Sequence, residues 1–248
     1  MKHLFLLLGI LGISPPLAAD DIRVAVATNF IEVMEQLGDI FTEQSGHRVL
    51  MSSGATGKFY AQIKSGAPYD IFLAADELRP TLLEEEGVAI ADSRFTYALG
   101  KLVLWSPDAE AIDEDLQVLK QQDFRFLSIA NPRTAPYGRA AQQVLEKLGH
   151  WEAMQPRVVR GENIGQAYQY VYSRNARLGL VAKSQVFKDG VFADGSYWQV
   201  PEDWYDPIVQ QAVLLKEGAA ARGLLEYLRS PEAAAVIASY GYGVMADR

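Results

Sequence analysis

From residue 22 onward the chain repeats one local unit: a short apolar run, a small or polar loop, then a helical pattern. Runs of β character fall at 22–27, 47–51, 70–75, 124–130, 157–160 and 178–182. Helical spacing follows several of them, as in Phe30, Val33, Met34, Leu37, Ile40 and Phe41, and Ser45-Gly46 ends that pattern. Further helices are expected to reach Ile63 and to cover 77–86, 138–148 and 164–172. Strands that alternate with helices predict α/β architecture, with mostly parallel sheets flanked by helices on both faces. Two long β-like segments, 95–105 and 205–215, break the rhythm. They read as crossovers joining two lobes, 20–97 plus 208–248 and 98–207. The tail adds helices at 219–228 and 231–240, the second opened by Ser230 as N-cap and Pro231 in the first turn.

The first residues, MKHLFLLLGILGISPPLAAD, have a short basic start, an apolar run too short to span a bilayer and a small-residue cleavage site. Residues 1–19 are therefore read as a cleaved signal peptide. With no cysteine in 248 residues, the exported chain has neither disulfides nor a cysteine for a lipid anchor. The expected location is the periplasm, in soluble form. A composition of 49% hydrophobic residues is enough for a core without such staples. The net charge of −8 becomes −9 once Lys2 leaves with the signal peptide. With no cluster of Lys and Arg, nucleic acid is not an expected partner.

Enzymatic signatures are sparse. His47 and His150 stand in no metal or triad spacing, and HExxH, CxxC and GxSxG are all missing. The acidic runs 84–86 and 113–115 read as solvated surface. The stretch SSGATGKFYAQI at 52–63 approaches a phosphate loop but fails at both ends. Ser52 stands where the first glycine belongs, and Phe59 where the magnesium-binding hydroxyl belongs. The first βα turn, Ala27-Thr28-Asn29, lacks the glycines of a dinucleotide fold. No catalytic residue, cation site or cofactor is expected.

Four strand-to-helix junctions share one character: 27–29, 53–56, 131–137 and 161–164. The first two fall in one lobe and the last two in the other. In a parallel α/β sheet such junctions gather at the carboxyl ends of the strands. Each helix start carries unpaired N–H groups and a partial positive charge, which together suit an anion. Taken singly, Thr28, Asn29, Thr56 and Asn163 are also ordinary N-caps.

At these residues the chain resembles a known family. ATNF at 27–30, SSGATGKFYAQI, GAPYDIFLAAD at 66–76, FTYALGKLVLWS at 95–106, NPRTAPYG at 131–138 and ENIGQA at 162–167 are similar, in the same order, to the periplasmic molybdate-binding proteins of ABC transporters. The resemblance runs from about residue 22 to the C-terminus. It implies the two-lobed type II periplasmic binding fold, with the crossover strands as hinge. It implies a monomer that captures molybdate or tungstate in the interlobe cleft and delivers it to a membrane permease. Carried over by motif, the ligand-binding residues are Thr28, Asn29, Thr56, Tyr137 and Ile164. Thr28 and Asn29 donate from side chain or backbone, Thr56 through its hydroxyl, and Tyr137 and Ile164 through backbone N–H. Some members carry a tyrosine hydroxyl after the LGxV strand; this chain has Ala182 there, and its Thr28-Asn29 pair matches a branch without that tyrosine.

A fully deprotonated dianion only accepts hydrogen bonds, so a pocket made of donors suits it. Phosphate keeps a proton near neutral pH and needs an acceptor, and the one carboxylate at the junctions, Glu162, is expected to face outward. Lys58 is read as facing solvent from the first turn of its helix. The competing readings are a sulfate- or phosphate-binding protein, and an enzyme acting on a small anion in the same cleft.

Overall fold

The computed structural model describes residues 19–244, so all of the expected signal peptide except Ala19 lies outside the described residues. The chain begins with β1 (Asp21–Ala27), a 3-10 turn at Thr28–Phe30, α1 (Ile31–Ser45), β2 (Arg48–Gly54) and α2 (Thr56–Lys64). Next come β3 (Ile71–Ala74), α3 (Leu78–Glu85), β4 (Phe95–Gly100), β5 (Leu102–Ser106), α4 (Gln117–Gln121) and β6 (Leu127–Ala130). The middle of the chain supplies α5 (Pro136–Lys147), α6 (Trp151–Met154), β7 (Val158–Gly161), α7 (Ile164–Tyr172) and β8 (Leu178–Ala182). It ends with β9 (Phe187–Lys188), β10 (Val191–Phe192), β11 (Ser196–Gln199), β12 (Ile208–Leu214), α8 (Ala219–Tyr227) and α9 (Pro231–Ser239).

Two five-stranded sheets organise these elements, in the orders β2-β1-β3-β12-β4 and β11-β5-β8-β6-β7. In the first, β2, β1 and β3 are parallel, and β12 runs antiparallel to both of its neighbours. In the second, β6, β7 and β8 are parallel, and β5 runs antiparallel to both of its neighbours. Each sheet thus has a single reversed strand, and in each it is the strand by which the chain enters from the other sheet. The chain changes sheet at Lys101 and returns through 200–207. The two passages lie side by side, because Ile208 pairs with Gly100.

Side-chain alternation explains why both faces of each sheet are covered. Val24, Val26, Ile71, Leu73 and Ala212 point to one face of the first sheet, against α1 and α8. Ala25, Phe72, Ala74 and Val213, one residue out of phase, point to the other, against Phe59 and Ile63 of α2 and Leu83 of α3. The second sheet repeats the pattern. Leu102, Leu104, Leu127, Ile129 and Leu180 meet α5, and Val103, Trp105 and Val181 meet Val171 of α7. A strand buried on both faces has no polar side to lose, so its sequence reads as a continuous apolar run. Ser230 accepts from the N–H of Ala233 and caps α9 as expected.

Phe72 is fully buried in the cluster between the first sheet and α2 and α3. Replacing it by alanine removes a whole ring from a close-packed layer, and the expected loss is about 3–5 kcal/mol in urea unfolding. A loss below about 1 kcal/mol would mean that this layer contributes little.

Candidate functional site

The four junctions singled out from sequence meet in a closed ring of contacts. Thr28 Oγ1 donates to the carbonyl of Gly54 at 3.0 Å, joining the start of the 3-10 turn to the end of β2. The N–H of Gly57, in the first turn of α2, donates to the carbonyl of Thr134 at 2.9 Å, joining the first sheet to the β6–α5 loop of the second. Within the second sheet, Asn131 N–H donates to Gly161 at 2.8 Å. Gly165, in the first turn of α7, closes the ring against Thr28: a Cβ on Gly165 would lie 2.2 Å from Thr28 Cγ2. Gly57 is less tightly constrained: a Cβ there would lie 3.1 Å from the Thr134 carbonyl oxygen. At Gly165 a side chain would force Thr28 to move, and at Gly57 it would press on the backbone of Thr134.

The expected ligand residues all stand at the start of a helical element. Thr28 and Asn29 are the first two residues of the 3-10 turn, Thr56 opens α2, Tyr137 is second in α5 and Ile164 opens α7. Backbone N–H groups at these positions precede the helical ladder and have no partner within it. Thr28 is half-buried and the other four are buried. None carries a charge. Of the four residues with cap character, Asn163 does cap its helix, accepting from Gln166 N–H at 2.8 Å. Thr28, Asn29 and Thr56 lie inside their elements and cap nothing.

The side chains are less uniform than the backbone. Thr56 Oγ1 accepts from the N–H of Ala75 at 3.0 Å, so its own proton remains to be donated. Thr28 has already given its proton to Gly54. Asn29 donates through Nδ2 to Gln210 Oε1 at 2.8 Å and to the Tyr242 hydroxyl at 2.9 Å, while its Oδ1 is buried without a partner. A cleft of about 630 Å³ opens between the sheets, lined by Thr28, Asn29, Asn163, Gly165, Ser184 and Gln185 among others. Thr56, Tyr137 and Ile164 do not line it. Beside the ring, Lys58 reaches Glu162 at 2.6 Å, a pair that joins α2 to the β7–α7 loop. Both side chains are largely exposed, and such a pair contributes about 0–1 kcal/mol. Among the described residues no three His, Cys, Asp or Glu side chains gather as a cation site.

Gln210, Tyr242, Ser184 and Tyr97 are not among the residues expected from sequence, yet the first three bond Asn29 and Tyr97 bonds Gln210. Ser184 and Tyr242 donate to the Asn29 carbonyl at 2.9 and 2.7 Å, and Gln210 Nε2 donates to the Tyr137 hydroxyl at 3.3 Å. A signal for Gln210 does exist. The polar pair Gln210-Gln211 interrupts the otherwise apolar run IVQQAVL, and Gln210 is completely buried. Burial raises the hydroxyl pKa of Tyr97, Tyr137 and Tyr242 above the ordinary tyrosine range, so these groups stay neutral donors through neutral pH.

Two outcomes follow. Alanine is a better helix former than glycine, so Gly165→Ala is expected to leave helix content unchanged and to act only by pushing Thr28 away. Small-angle scattering should then show a larger radius of gyration, and an unchanged radius would contradict the tight crossing. The raised tyrosine pKa values set the second outcome. Below about pH 10 these hydroxyls are neutral in both folded and unfolded chains. Above it the unfolded chain ionises first, and the three tyrosines together remove up to about 4 kcal/mol of stability per pH unit. Urea midpoints between pH 9 and 11 measure this, and a flat profile would rule it out.

Comparison with known proteins places the architecture. A family model described as bacterial extracellular solute-binding protein matches residues 22–243. The molybdate-binding protein ModA of Azotobacter vinelandii is 52% identical over 229 residues, 91% of each chain. ModA of Rhodobacter capsulatus is 48% identical over 237 residues, 94% of this chain and 92% of that one. The structure of the Azotobacter vinelandii periplasmic molybdate-binding protein superposes with a TM-score of 0.87 at 42% identity, over 91% of this chain and 100% of that one. This is the type II periplasmic binding fold anticipated from the sequence. Since the match runs through both sheets and all four junctions, the chain belongs to the family of bacterial extracellular solute-binding proteins.

Proposed function

We propose that this protein captures molybdate in the periplasm, between its two sheets, and hands it to the membrane permease of an ABC transporter. The observation that carries the reading is the ring of helix starts. Four helix starts, set on two sheets, meet in one ring, and none of Thr28, Asn29, Thr56, Tyr137 and Ile164 at those starts carries a charge. A tetrahedral dianion accepts on every side and is matched by such a set. Hydrogen bonds to a charged group contribute about 1.5–3 kcal/mol each, so several suffice for tight binding. The names of the relatives support a binding protein rather than an enzyme, and molybdate as the ligand.

In this reading each sheet with its helices is a lobe, and Lys101 with the 200–207 segment forms the hinge. The lobes close over the anion, and the contacts Gly57–Thr134 and Thr28–Gly165 belong to the closed arrangement. Tungstate, with the same shape and charge, is held by the same donors. Residues 1–19 are removed on export, and the mature protein is a soluble monomer. Sulfate is the nearest competitor in charge. The sulfate-binding protein SubI from Mycobacterium tuberculosis H37Rv shares the fold alone, with a TM-score of 0.66 at 11% identity.

Thermal unfolding in the presence of each oxyanion tests the reading. At about a hundred times its dissociation constant a ligand adds about 2.7 kcal/mol. Molybdate and tungstate are expected to raise the melting temperature, with sulfate and phosphate leaving it unmoved at the same concentration. A shift with phosphate and none with molybdate would overturn the proposal.

A further inference from the structure

The environment of Asn29 does not balance as a set of donors and acceptors. Asn29 Oδ1 is buried and unpartnered, on a residue that is 4% exposed and lines the interlobe cleft. On the other side of the same amide, Nδ2 serves Gln210 Oε1 and the Tyr242 hydroxyl. The Tyr97 hydroxyl lies 3.0 Å from the carbonyl of Ala74 and 3.1 Å from Gln210 Oε1, and a single proton cannot serve both acceptors. The Tyr137 hydroxyl accepts from Gln210 Nε2.

A half-turn of both carboxamides, which exchanges oxygen and nitrogen in nearly the same space, removes the conflict. Gln210 Nε2 then donates to Asn29 Oδ1 and to the Tyr97 hydroxyl. Tyr97 donates to Ala74 alone. Gln210 Oε1 accepts from the Tyr137 hydroxyl. The Tyr242 hydroxyl donates to Asn29 Oδ1, while Ser184 keeps the Asn29 carbonyl. No buried acceptor is left over, and Asn29 Nδ2 stands where Oδ1 stood. With Oδ1 in that place, an anion beside it would face a lone pair instead of a donor.

Resting on the oxyanion reading above, we propose that Gln210 is the positioning residue of the site: its Nε2 donates to Asn29 Oδ1 and so holds Asn29 Nδ2 toward the ligand. Tyr137 belongs to the second lobe and Gln210 to the first, so this pair bonds the two lobes in either orientation. The anion is thus read partly by a buried amide on a strand that never touches it.

Neutron diffraction from deuterium-exchanged crystals with molybdate bound tests the orientation directly. The amide deuterons of Gln210 are expected on Asn29 Oδ1 and Tyr97, and those of Asn29 on the side away from Gln210. Asn29 deuterons facing Gln210 in the bound state would overturn the proposal. In solution, Gln210→Met is expected to weaken molybdate binding about tenfold in calorimetry and to add nothing in an Asn29→Ala background, because Gln210 acts through Asn29. Equal losses in both backgrounds, or no loss in the first, would equally overturn it. Failure of the unsubstituted protein to bind molybdate would instead sink the oxyanion reading. The neutron result stands on its own should the methionine variant fold poorly.

Discussion

Unpaired backbone N–H groups at helix starts are the constraint around which this molecule is arranged. Each helix that follows a strand leaves its first donors without an intrahelical partner. In an isolated βα unit water would satisfy them. Here the carboxyl ends of two sheets face each other, and the donors of one lie against the loops of the other. Gly57 bonding to Thr134 shows the principle, since one of these donors is satisfied by the opposite sheet. The first-turn groups at Thr28, Asn29, Thr56, Tyr137 and Ile164 likewise lack a partner within their helices, and in the function proposed above they are left to a ligand. On that proposal the positive end of the site is made of dipoles, which would let an acidic protein of net charge −8 hold a dianion without lysine or arginine.

Close approach of the two sheets has its own requirements. Gly57 stands where a methyl group would press on the backbone of Thr134, and Gly165 where it would force Thr28 to move. Next to these crossings lies a buried polar network of Asn29, Gln210, Tyr97, Tyr137, Tyr242 and Ser184, drawn from both sheets and from the C-terminal tail. Tyr242 is held there because Gly243 bridges to Leu99, which extends the tail along β4. Polar groups taken so far from water must find partners or cost stability. That requirement makes the single unpartnered oxygen of Asn29 informative about ligand binding.

Much of this was legible residue by residue. The ranges 164–172 and 178–182 coincide with α7 and β8, because their periodicity and flanking loops leave one interpretation. The β-like segment 95–105 is instead two strands in different sheets, divided at Lys101. An apolar run cannot say which neighbour each half pairs with. Glu162 was expected to point outward, and it does lie at the surface, but in partnership with Lys58, 104 residues earlier. The cap interpretation of Thr28, Asn29 and Thr56 gives way because the helical turns begin at these residues rather than after them.

The sequence by itself determined the alternation of strand and helix, the two-faced burial of the strands, the small-residue junctions and the family they belong to. These are local properties, written in periods of two and 3.6 residues and in short motifs. Tertiary structure alone decided that β12 returns antiparallel into the first sheet, that Gln210 is buried beside Asn29, and that Tyr242 reaches the same amide from 213 residues away. Such contacts depend on which surfaces meet once the sheets have formed, and no local pattern records a partner at that distance.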